Sequence, residues 1–243
     1  MKNAFLFSLL SLFAFSSCFI VDKKNENKTV IVVMCDITKS LDTSSITKVQ
    51  QNAVRIIQLN PEAEINFYPI DSNLYVNSLL NKKSYVGMKY SERAAALETD
   101  AKELLKNIRS TYERRNARAS CVLKGFNIAY EKFKQYKPKE NYTFKLVFLS
   151  DMLECCGYSY GSINIESMDK YAESLKTLKK APKPEFNLAD LGVSISFVIT
   201  AHKQLPIDEA LHRDFWRTAC KRFGYTDELF NGFVFSSELP NGL

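Results

Sequence analysis

The sequence predicts an α/β fold, a single doubly wound and mainly parallel sheet flanked by helices, on three observations. Thr29–Cys35 is a β-branched, apolar run, the pattern of a strand covered on both faces, and a second apolar run spans Phe144–Leu149. Between such runs lie segments with helical spacing of apolar residues, and strands alternating with helices imply parallel pairing through crossovers. The chain has 243 residues, 46% of them apolar and 25% charged, ordinary values for a globular protein and enough for one domain with a full core.

The elements follow in order. Thr29–Cys35 is the first strand. Ser44–Leu59 places Ile46, Val49, Ala53, Val54 and Ile57 on one helical face, and Asn60-Pro61 ends it. Asp42 is expected to cap that helix. Ala63–Ile70 is the second strand. Asn73–Tyr90 is polar and mixed, fitting short edge strands or loop. Ser91–Ile108 is a long helix with Ser91 as its expected N-cap. Cys121–Tyr136 is a further helix, ended by Lys137-Pro138. Tyr142–Leu149 is a central strand, Ile165–Lys180 a helix broken by Pro182 and Pro184, and Val193–Thr200 a strand. Pro206–Phe223 begins with proline and ends at Gly224, as helices do, with Phe215, Trp216 and Phe223 on its core face. Gly232–Phe235 is a short last strand. No internal repeat or second domain boundary is visible.

The N-terminus reads as an export signal. Lys2 is followed by an almost continuously apolar stretch, Ala4–Phe15, too short and wrongly flanked for a membrane span. Ser16-Ser17-Cys18 then resembles a bacterial lipobox, with Phe15 where leucine is usual. That resemblance implies a signal peptide over residues 1–17, a lipidated Cys18 with a polar tether over 18–28, and a domain over 29–243. It also implies an exported protein anchored by lipid in the cell envelope or periplasm. A plain secretory signal cut near Ser17 is the other reading.

The formal charge of +6 is too mild to indicate a nucleic-acid partner. If Cys18 carries lipid, five cysteines remain: Cys35, Cys121, Cys155, Cys156 and Cys220. Five is odd, so at least one thiol is left over. Cys121 and the Cys155-Cys156 pair are expected on the same face of the sheet, where one disulfide can join them, whereas adjacent cysteines rarely bond each other. There is no C-x-x-C pair for His202 and His212 to complete, so no zinc spacing is present.

The chemistry-bearing residues gather at strand ends. Asp36-Ile37-Thr38-Lys39-Ser40 follows the first strand, and Ser150-Asp151 follows the central one. In an open parallel sheet, ligands bind outside the carboxyl ends of strands, and clustered carboxylate and hydroxyl oxygens suit a hard divalent cation. Asp36-x-Thr38-x-Ser40 resembles the first motif of the metal-ion-dependent adhesion site of von Willebrand factor type A domains, with Thr38 in the place of the first serine. Asp151 matches the aspartate after the fourth strand of that family. Ser120 falls best on its middle-loop threonine, with Ser110 and Thr111 as other choices.

The resemblance implies a Mg²⁺ (or Mn²⁺) site built from Asp36, Thr38, Ser40, Ser120 and Asp151. It implies an interaction domain and not an enzyme, one that takes an Asp or Glu of a protein partner at an open metal position. Arg109, Arg114, Arg115 and Arg118 would make the rim attractive to such a partner.

Two other readings remain. Haloacid-dehalogenase-like phosphotransferases also place an aspartate nucleophile after a first strand, so Asp36, Ser150 and Asp151 can be fitted to that scheme, but Thr38 stands where the second aspartate is expected. A scaffold that keeps the fold without metal is the third reading. No P-loop, G-x-S-x-G or H-E-x-x-H pattern occurs.

Overall fold

The computed structural model describes residues 28–38, 41–70, 77–114, 120–136, 141–158, 161–163, 165, 168–200, 209–240 and 243. The export signal, Cys18, Ser40, Arg115, Arg118 and His202 lie outside the described residues.

Six strands form one sheet in the order β3-β2-β1-β4-β7-β8. These are β1 (Lys28–Asp36), β2 (Glu64–Ile70), β3 (Leu80–Lys82), β4 (Tyr142–Ser150), β7 (Ser194–Ile199) and β8 (Val234–Ser236). All neighbours are parallel except β3, which pairs antiparallel with β2 at the edge. The remaining two strands, β5 (Gly157–Tyr158) and β6 (Gly161–Ser162), make a small separate hairpin.

The helices are α1 (Thr43–Leu59), α2 (Tyr90–Arg114), α3 (Val122–Phe133), α4 (Met168–Lys180), α5 (Glu209–Arg222) and α6 (Asp227–Asn231), with a 3₁₀ turn at Ala189–Leu191. None of the helices among the described residues is long and apolar enough to cross a membrane.

Alternation along β1 divides the core into two layers. Val30, Val32 and Met34 face α3 and α5 with Phe126, Phe148, Phe197 and Trp216, while Ile31, Val33 and Cys35 face α1 and α2 with Val49, Ala53, Ile56 and Leu104. Full burial on both sides explains the continuous apolar runs of β1 from Val30 to Cys35 and of β4 from Leu146 to Leu149.

Most predicted elements lie within one to three residues of their expected bounds. α2 departs from its expected bounds for a physical reason, whereas β3 is the short edge strand expected within Asn73–Tyr90. α2 begins at Tyr90, so Ser91 sits inside the first turn and is not the cap. The helix also runs six residues past Ile108, where its outer face is almost wholly polar and offers no apolar period to read. β3 is only three residues long and pairs antiparallel. Lys82 at its end is buried and donates to the carbonyls of Asn60, Pro61, Ala63 and Lys83 at 2.8–3.2 Å, a lysine in a core position that no polarity pattern announces.

Candidate metal centre at the strand ends

The site is built from three segments at the carboxyl edge of the sheet. The first is the end of β1. Asp36 is the last residue of the strand, fully buried, on the face opposite Cys35. Its Oδ1 accepts hydrogen bonds from Thr38 Oγ1 at 2.9 Å and from the Thr38 amide at 3.2 Å. The chain therefore turns back on the carboxylate immediately after the strand, in the manner of Asx turns. Asp42 then caps α1, accepting from the Ser45 amide at 2.8 Å, as expected.

The second segment precedes α3. Ser120 is buried, and its Oγ lies 3.0 Å from Thr38 Oγ1. Gly125 lets α3 come this close: a Cβ there would stand 2.8 Å from Phe148 Cε1 and 3.2 Å from Met34 Cγ. The helix packs directly on β1 and β4, and the residue just ahead of it reaches the end of β1.

The third segment follows β4. Cys35 is in register with Leu149, which sets Ser150 beside Asp36, and Ser150 Oγ donates to Asp36 Oδ2 at 2.7 Å. Asp151 comes next. It is half-buried and accepts from the Leu153 amide at 2.9 Å. Met152 takes a left-handed conformation (φ 60°). Its amide donates to Ser150 Oγ at 2.9 Å, and its carbonyl accepts from Trp216 Nε1 at 3.0 Å and lies 2.9 Å from His212 Nε2.

Hydrogen bonds thus bring together Asp36, Thr38 and Ser120 of the expected set, and the strand register sets Asp151 one residue beyond Ser150. Ser110 and Thr111, the other choices for the middle position, lie in the last turns of α2, where Ser110 Oγ donates to the Asn107 carbonyl within the same helix. Ser150 is the addition to the metal reading: the sequence placed it beside Asp151 and in the phosphotransferase scheme but not among the metal's neighbours, although its alternation with Phe148 put it on Asp36's side of the sheet. Burial pushes the Asp36 carboxyl above its ordinary value, opposed by the hydroxyls of Ser150, Thr38 and Ser120 and by the Thr38 amide. A carboxylate withdrawn from water and ringed by hydroxyls gains most from a bound cation.

The second and third segments are fastened together behind the site. Cys121 and Cys156 form a disulfide with Cα atoms 5.1 Å apart, which selects Cys156 from the two partners left open. Ser120 and Cys155 are joined by one backbone and one side-chain bond, the Cys155 amide donating to the Ser120 carbonyl at 3.1 Å and the Ser120 amide to Cys155 Sγ at 2.9 Å. Glu154 is buried and accepts from the Leu123 amide at 2.7 Å and the Cys156 amide at 3.1 Å, capping the start of α3 from another loop. Burial pushes its carboxyl up to about 8, against the pull of those amides. Sequence reasoning missed Glu154, whose cap is thirty-one residues away and carries no local signature.

No family model matches the chain, and no curated protein matches it in sequence. Solved structures are similar in outline at 10–11% identity. An aerotolerance-related membrane protein from Bacteroides fragilis has a TM-score of 0.45, with 88% of this chain and 92% of that one covered. The conserved hypothetical protein BatB from Bacteroides thetaiotaomicron is similar at 11% identity and a TM-score of 0.44, covering 88% and 92%. A manganese-loaded TRAP protein of Plasmodium vivax is similar at 10% identity and 0.42, covering 78% and 62%. On its own strand order, with β1 central, one antiparallel edge strand, and the ends of β1 and β4 adjoining the segment before α3, the chain has a von Willebrand factor A-like fold.

Proposed function

We propose that this is a divalent-cation-dependent protein-interaction domain and not an enzyme. Asp36, Thr38, Ser40, Ser120 and Asp151 would hold Mg²⁺ or Mn²⁺, and an acidic side chain of a protein partner would complete the ion's coordination. When bound, the ion supplies an electrophilic centre for that carboxylate. The observation that carries the reading is the meeting of Asp36, Thr38 and Ser120: one carboxylate and two hydroxyls, from segments far apart in sequence, linked at 2.9 and 3.0 Å.

The donor set fits the ion. All the donors are oxygens, the choice of hard cations, and neutral hydroxyls outnumber carboxylates enough to leave the ion attractive to an outside anion. Ser150 orients the Asp36 carboxylate through its 2.7 Å hydrogen bond. The buried surroundings of Asp36, Thr38 and Ser120 keep competing water away.

The phosphotransferase reading has less support. Thr38 stands where that scheme needs a second aspartate, so the general acid/base that would serve an Asp36 nucleophile is missing.

We also assign export and lipid attachment through Cys18, with the domain held at the cell envelope. Calorimetric titration of the mature protein with Mg²⁺ and Mn²⁺ tests the central claim. One site is expected, lost in Asp36→Ala. No heat from either ion overturns it.

A further inference from the structure

The Cys121–Cys156 bridge lies against a carboxylate that the cation reading does not use. The Sγ atoms of Cys121 and Cys156 and a carboxylate oxygen of Glu154 all lie within 4.8 Å of one another, and all three residues are buried. Glu154 is already oriented, because the Leu123 and Cys156 amides hold one oxygen each. The Val122 amide also bonds the carboxylate, and three amides leave one of its roughly four lone-pair sites for a cation. We propose that, once the bridge is reduced, Cys121, Cys156 and Glu154 form a binding site for a thiophilic divalent cation of the zinc class.

The chemistry selects that class. Two thiolates and one carboxylate suit Zn²⁺, at about 2.3 Å from sulfur and 2.0–2.2 Å from oxygen, whereas Mg²⁺ prefers oxygen alone. Donors at those lengths around one tetrahedral ion stand roughly 3.5–4 Å apart. The freed sulfurs therefore need to part only to that separation, with no rearrangement of the backbone that Glu154 and the Ser120–Cys155 pairing hold in place. A fourth position remains for water.

The balance is simple. A dithiol reductant gives two electrons and two protons to the bridge, leaving two thiols and becoming a disulfide itself. The cation then displaces both thiol protons, and any carboxyl proton, to solvent. A disulfide oxidant reverses the sequence, taking the electrons of both thiolates as the bridge closes and the ion leaves. Three anions around a dication leave one net negative charge, which the start of the twelve-residue α3 favours.

The test uses the full chain, reduced with a phosphine under nitrogen and offered Zn²⁺ or Co²⁺. In Asp36→Ala, which removes the oxygen site, one equivalent is expected to survive desalting on the reduced protein and none on the oxidised protein, and Co²⁺ is expected to give a thiolate-to-metal absorption band on reduction. Bound Zn²⁺ is expected to slow alkylation of Cys121 and Cys156 at least tenfold and to leave Cys155 reactive. In the same background, Glu154→Gln weakens the uptake at least tenfold, and the Cys121→Ser, Cys156→Ser double variant abolishes it. If reduction costs the protein its near-ultraviolet dichroism, Zn²⁺ must restore the signal. Failure to restore it, absence of uptake by the reduced protein, or unchanged uptake in the double variant each overturns the proposal.

Discussion

Thr38 Oγ1 and Ser120 Oγ lie 3.0 Å apart although 82 residues separate them in sequence. This contact closes the strand-end cluster, and it gives the mildest substitution that tests it. Ser120→Ala removes one oxygen and leaves the backbone pairing with Cys155 in place. We expect at least a tenfold loss of Mn²⁺ affinity by calorimetry and a stability change of only about 1 kcal/mol in urea. Equal affinity in the variant would remove Ser120 from the ligand set.

Glu154 makes stability depend on pH in an unusual direction. Its ordinary value of 4.5 rises to about 8 in the fold because burial disfavours its charge. Below pH 4.5 both states are protonated. Between 4.5 and 8 the unfolded chain ionises while the folded chain does not, so unfolding becomes easier by roughly 1.4 kcal/mol per pH unit. Denaturant melts from pH 5 to pH 8 are expected to show this decline in wild type and a flatter profile in Glu154→Gln.

The disulfide closes a loop whose ends are 35 residues apart. Chain entropy alone assigns such a bridge about 3.5–4 kcal/mol. Replacing both Cys121 and Cys156 by alanine should cost about that much in a denaturant titration.

Asn66 lies in the middle of β2, fully buried, and neither its Nδ2 nor its Oδ1 has a hydrogen-bond partner among the described residues. An unpaired buried amide costs about 1–3 kcal/mol, so Asn66→Leu should raise the unfolding midpoint. A lowered midpoint would mean that the amide serves a need the folded chain does not display.

Gly125 is the opposite case. A methyl group there meets Phe148 at 2.8 Å and Met34 at 3.2 Å, so Gly125→Ala should destabilise by about 1–3 kcal/mol. It should also weaken cation binding, because it pushes α3 and Ser120 away from β1. Both effects are readable in one thermal melt with and without Mn²⁺.

The sheet and its crossovers were legible because strands buried on both faces leave long apolar runs, and β1 and β4 are such strands. The strand-end residues were legible as a motif because Asp36 and Thr38 are neighbours in sequence and meet through a local turn. The roles of Ser150 and Glu154 were not. Each depends on register or on a cap between distant loops, and a serine or glutamate in isolation carries no trace of either. The small α6 and the β5–β6 hairpin escaped because segments of two to five residues are too short to establish a period.

β1 begins at Lys28 and ends at Asp36, a run of ~30 Å at strand rise. In a molecule moored by lipid, the oxygen cluster would stand a full strand's length beyond the point where the tether of residues 18–28 joins the domain. The strand is a rigid strut, so that distance adds in full to whatever span the tether gives.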